Sequence, residues 1–141
     1  RLLSFQGITN YRGSQPSIWG GAALAATLHG DCGPCAQLMT DRLVELGQST
    51  EQIKACLEHR CDQAGSMGLG YQFAQAVLLN TDEIGKLADR IRSEFGQDCL
   101  IAAAYAASTY TTYPLLKRAL GQAQACHKID RKSCTSVVSM E

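Results

Sequence analysis

Apolar positions recur at helical spacing along almost the whole chain. The clearest stripe is Ile84, Leu87, Ile91 and Phe95, with Asp89, Arg90 and Arg92 on the other side. Steps of three and four residues place the first set on one face of a helix. Leu69, Phe73, Ala76 and Val77 outline a second face, and Cys35, Met39, Leu43 and Leu46 a third. Residues 17–29 are alanine-rich and apolar; Gly20-Gly21 weakens helix propensity there but permits close backbone contact. Residues 102–108 are nearly all small, which suits a helix packed closely in a core. The two-residue alternation of a half-buried strand is almost absent, so the pattern predicts an all-α fold.

Glycine, proline and capping residues divide these stripes. Gly30 and Asp31 break the first helix, and a second starts near Pro34, where the first turn needs no amide donor. Gly47 ends it. Ser49 with Gln52 three residues on forms a capping box for a helix running to about Glu58. Gly65, Gly68 and Gly70 read as a loose connection, and Asn80 followed by Glu83 as another helix start. Gly96 terminates the next helix, Asp98 caps the small-residue helix, Pro114 kinks or restarts it, and Gly121 ends or loosens it. Beyond Lys128 the chain is polar and weakly patterned, the signature of an extended or mobile tail. With 141 residues and no repeat of solenoid period, residues 1–141 read as one helical domain with a tail from about 128.

Composition narrows the function classes. The chain is 45% hydrophobic and 18% charged, a folded globular balance. Thirteen basic and thirteen acidic residues cancel, so no overall field draws it to nucleic acid or to an anionic membrane, and neither partner is expected. The chain begins with Arg1. Its most apolar early stretch, residues 18–28, is too short to span a bilayer and is followed by no small-residue cleavage signal. Seven cysteines, an odd count spread over a long chain, argue against a secreted disulfide scaffold. A soluble, cytoplasmic protein with a few reactive thiols is the expectation.

The chemistry concentrates in His29-Gly30-Asp31-Cys32-Gly33-Pro34-Cys35. Two cysteines separated by two residues at a helix start bring their sulfurs close enough to bridge. Unpaired amides and the helix dipole there favour thiolate. That supplies more nucleophile at neutral pH and a better leaving group. The helical stripe turns Cys35 toward the core and leaves Cys32 at the helix tip, so geometry favours Cys32 as the exposed, attacking thiol. Thioredoxin carries the same four residues, but after a β-strand; an alanine-rich helix precedes them here, which implies similar chemistry on a different fold. A purely structural pair is the plainer reading of buried cysteines, and the spacing at a helix start outweighs it. Cys56, His59 and Cys61 are the other local cluster, but zinc needs four ligands and their spacing is irregular. His59 reads instead as a solvated helix-end residue. No metal or other cofactor is expected.

Cys32-Gly33-Pro34-Cys35, the helix after it to Gly47, and Ser49-Thr50-Glu51-Gln52-Ile53 together resemble the core of the AhpD-like (carboxymuconolactone decarboxylase) superfamily. Tyr71-Gln72-Phe73-Ala74, Phe95-Gly96-Gln97-Asp98 and the segment from Tyr113-Pro114 to Gly121 are similar too, so the resemblance covers roughly residues 20–126. It implies an AhpD-like helical bundle, usually homo-oligomeric. In its peroxidase branch the dithiol reduces peroxide or a partner peroxiredoxin. The first hypothesis for this chain is a thiol-disulfide oxidoreductase acting on peroxide or disulfide, its alkylhydroperoxidase activity weak because the chain departs from that branch. A protein thiol would reduce it, or it would serve a peroxiredoxin partner. In the peroxidase branch the second cysteine attacks peroxide, which corresponds to Cys35, against the geometric preference for Cys32; both assignments stand. That branch has a histidine four residues after the second cysteine, where this chain has Met39, and its upstream glutamate has no counterpart in residues 17–31. His29 is the better substitute base; Asp31 suits a cap, since a carboxylate beside Cys32 raises a thiol pKa. Cys126 is a candidate third redox thiol, with an ordinary helix cysteine as the plainer reading. The alternative function is a non-enzymatic, oligomeric helical protein whose dithiol is structural or redox-sensing. A lactone decarboxylase fits least, because that branch does not depend on a cysteine pair.

Overall fold

The structure is a computed structural model and describes residues 2–121. Among these residues it is all helical, as the periodicity predicts. The helices are α1 (Leu2–Thr9), α2 (Pro16–His29), α3 (Gly33–Glu45), α4 (Thr50–Leu57), α5 (Gly65–Leu79), α6 (Ile84–Phe95), α7 (Gln97–Thr109) and α8 (Thr112–Ala119), with a single 3-10 turn, Cys61–Gln63, between α4 and α5. No helix among the described residues is long and apolar enough to cross a membrane. The polar tail expected from about residue 128 lies outside the described residues.

The core is built around α2, buried from Ser17 to Thr27 and packed on α5, α7 and α3. Small residues make this possible. A Cβ on Gly21 would overlap the Met67 carbonyl, and one on Gly70 the Ile18 carbonyl, so α2 and α5 cross backbone to backbone. Gly65, Gly68 and Gly70 are therefore not a loose connection but the first turns of α5. Glycine lowers helix propensity by about 1 kcal/mol, and here tertiary contact overrides that preference. Gly68 similarly seats α5 against the carbonyl of Cys61, holding the 3-10 turn in place.

Three helices end by the same left-handed reversal. Gly47, His59 and Asn80 have φ of 74°, 60° and 53°. After each, the next amide reaches back five residues: Gln48 to the Leu43 oxygen (3.0 Å), Arg60 to Ala55 (2.8 Å) and Thr81 to Ala76 (3.0 Å). This is the Schellman closure, usually made with glycine. Asn80 thus ends α5 rather than starting α6, its short polar side chain tolerating that backbone region. Ser49 caps α4 as predicted, its Oγ accepting the Gln52 amide at 3.4 Å. Asp98 does not cap α7; it lies inside the first turn, and its carboxylate accepts the Ser14 amide at 2.6 Å. Hydrogen bonding to Ser14 holds the Asp98 carboxyl below the ordinary aspartate value. The short helix α1 has no strong sequence signal and is tied to the body through the Thr9 carbonyl, which accepts from Trp19 Nε1 (3.2 Å) and the Tyr110 hydroxyl (3.4 Å).

Candidate functional site: the cysteine pair opening α3

The route into the site runs from the end of α2. Gly30 continues the last turn of α2, its amide donating to the Ala26 carbonyl at 3.3 Å. Asp31 then takes φ of 51° and turns the chain into α3. The join is covered by α8: a Cβ on Gly30 would meet the Pro114 ring, and Arg118 donates to the Gly30 carbonyl at 3.0 Å. Pro114 lies in the first turn of α8 and restarts the helix after α7. Arg118 was not singled out by the sequence, because nothing local links it to residue 30.

Cys32 is the N-cap of α3, with extended backbone, and Cys35 lies in the first turn. Their Cα atoms are 5.3 Å apart and their sulfurs lie at disulfide distance. The first turn holds no acidic residue, so no carboxylate within it opposes a thiolate at this helix end. Asp31 precedes the cap position rather than occupying it, and is exposed. The expected exposure of Cys32 is not found. It is 2% exposed and Cys35 is 9% exposed, so the pair is covered and Cys35 is the more accessible thiol. The left-handed turn at Asp31 and the seating of α8 on Gly30 lie just before the pair, so this helix start is joined to the body rather than free in solvent.

His29 is exposed at the end of α2. Met39 is buried one turn beyond Cys35. The buried hydroxyls nearby in sequence are already committed within their own helices: Thr27 donates to the Ala23 carbonyl at 2.8 Å and Thr40 to Ala36 at 2.9 Å. Cys126, the candidate third redox thiol, lies outside the described residues.

The chain matches no family model, no curated protein and no solved structure. The site is therefore read from its own geometry.

That geometry contains a second thiol pair, which the sequence presented as an irregular Cys-x4-Cys. Cys56 lies near the end of α4 and Cys61 opens the 3-10 turn. The reversal at His59 folds Cys61 back until the two thiols are within hydrogen-bonding reach. The hydrogen bond, donated by Cys56, lowers the Cys61 thiol pKa against the opposing effects of burial and Asp62. It pushes Cys56 up, and burial adds to that. Tyr71, buried close by on α5, is pushed up to about 12 by burial and by the two sulfurs. His59 is exposed on the left-handed bend rather than gathered with the sulfurs into a ligand set.

Proposed function

We propose that the protein is a thiol-disulfide oxidoreductase that cycles Cys32 and Cys35 between dithiol and disulfide. The observation that supports this reading most is the placement of both sulfurs at disulfide distance at the start of a helix whose first turn carries no acid. In the forward step a thiolate of the pair attacks a substrate disulfide and releases one thiol. The second cysteine then resolves the mixed disulfide and releases the other. Burial favours Cys35 over Cys32 as the attacking thiol. Peroxide cleavage additionally needs a proton for the leaving oxygen. General acid–base help is worth about 10²–10⁴-fold, and Met39, Thr27 and Thr40 have none to offer. Peroxidase activity is accordingly weak beside disulfide exchange.

The AhpD-like assignment, a cytoplasmic setting, a protein thiol or peroxiredoxin partner and assembly into a homo-oligomer belong to the same proposal. Exposed Leu115 and Leu116 on α8 and Leu120 just after it supply apolar surface for a second copy. The burial of both cysteines favours a second reading, in which the pair is a structural or redox-sensing disulfide without turnover. Steady-state reduction of a small disulfide by the chain carrying Cys61→Ser, which of the two thiol pairs leaves only Cys32–Cys35 to cycle, with dithiothreitol as electron donor, decides between them. The proposal expects turnover that is lost in both Cys32→Ser and Cys35→Ser. No turnover in that background while Cys32 and Cys35 are intact supports the structural reading.

A further inference from the structure

Cys61 is not only beside Cys56. It also lines an open cavity of about 420 Å³, with Asp62, Ser66, Gln72, Arg90 and Glu94 among the other walls. The lining is polar and carries both signs of charge. Arg90 and Glu94 face each other at 2.9 Å, and Gln72 steadies Asp62 through a 3.0 Å hydrogen bond. Cys61 is 9% exposed and lines this cavity, whereas Cys56 is fully buried, so Cys61 is the residue of the pair that an entering reagent meets first.

We propose that Cys61 and Cys56 form a second thiol-disulfide site, independent of the Cys32–Cys35 pair, whose oxidant is a small disulfide bearing amino and carboxylate groups. Three features carry the assignment. The cavity admits a small organic molecule, and its guanidinium and carboxylates match a zwitterionic one. Cys61 lines that space. Cys56, five residues earlier and in hydrogen-bonding reach, is positioned to resolve whatever Cys61 captures. Thiolate attack by Cys61 on one sulfur of the small disulfide forms a Cys61 mixed disulfide and expels the first small thiolate. Cys56 then gives up its proton and attacks the Cys61 sulfur, closing a Cys56–Cys61 bond near 2.05 Å and expelling the second. The two-electron oxidation of the protein pair is balanced by reduction of the small disulfide to two thiols, one of which leaves with the Cys56 proton.

The test uses glutathione disulfide on the full chain carrying Cys32→Ser and Cys35→Ser, with products mapped by mass spectrometry after rapid alkylation. The expected result is loss of two titratable thiols per chain and a Cys56–Cys61 bridge. Adding Cys56→Ala should stop the reaction at a stable glutathione adduct on Cys61. Adding Cys61→Ser should leave Cys56 unmodified. Arg90→Gln should slow capture of glutathione disulfide but not of uncharged hydroxyethyl disulfide. The same mapping on the wild-type chain, which needs no variant to fold, should also find the Cys56–Cys61 bridge. Its absence there, or adducts forming on Cys56 before Cys61, overturns the proposal. Because the Cys32–Cys35 pair is missing from the test protein, failure here leaves the first site's function untouched.

Discussion

Replacing Gly70 with alanine places a methyl group against the Ile18 carbonyl, where there is no room for one. The obstacle is backbone on a buried helix, not the end of a flexible side chain, so α2 and α5 must separate. Overpacking of a tight core costs about 1–3 kcal/mol, and a backbone obstacle belongs at the upper end. Alanine recovers about 1 kcal/mol through its better helix propensity. The net expectation is destabilisation of about 2 kcal/mol. Gly21→Ala meets the Met67 carbonyl and should cost a similar amount. The two changes force the same separation, so the double variant should lose less than both losses combined. Gly85 in α6 supplies the control, since a methyl there meets open space. Gly85→Ala should therefore stabilise, by up to about 1 kcal/mol. Urea denaturation followed by far-ultraviolet circular dichroism measures all four variants. If Gly70→Ala proved as stable as wild type, or gained as Gly85→Ala does, the backbone-to-backbone crossing would be wrong.

Other expectations rest on single residues. His59 holds a left-handed conformation that costs a side-chain-bearing residue about 1–2 kcal/mol, so His59→Gly should raise the urea midpoint by the equivalent of roughly 1 kcal/mol. His29 is exposed, and His29→Ala should leave disulfide exchange unchanged when assayed with hydroxyethyl disulfide. Rapid, saturable peroxide turnover that survives this change would reveal a proton donor not identified here. Asp98 titrates below its ordinary value because Ser14 hydrogen-bonds to its carboxylate, through its side chain first and its amide second. Its contribution is thus fully present above about pH 4, the unfolded aspartate value, and is lost as pH falls through the lower folded value. In denaturation curves at stepped pH, wild type should exceed Asp98→Ala in stability near neutrality, and the gap should close in acid.

The helices were legible where one face alone is buried. Ile84, Leu87, Ile91 and Phe95 mark α6 because its other face meets water, and Ser49 with Gln52 marks the start of α4 because that cap is local. The glycines of α5 misread as a connection because the backbone they meet, Ile18 on α2 for Gly70 and the 3-10 turn at Cys61 for Gly68, is set by the fold and not by their immediate neighbours. Asn80 and Asp98 carry cap chemistry in either direction, and which helix end or neighbour they serve is decided by the fold. The Cys32–Cys35 pair was legible from spacing, but its burial was not, since the join just before it is fixed at Gly30 by Pro114 and Arg118 through tertiary packing. Cys56 and Cys61 stayed hidden for a related reason. Their approach depends on a left-handed histidine, a position where glycine is the usual signal.

Disulfide mapping of the wild-type chain after graded, mild oxidation and re-reduction tests the central claim most directly. Cys32–Cys35 should be the first bridge to form, ahead of Cys56–Cys61, and dithiothreitol should return it to the dithiol. A first bridge formed mainly between other cysteines, or a Cys32–Cys35 bond that resists reduction in the folded protein, would contradict that claim.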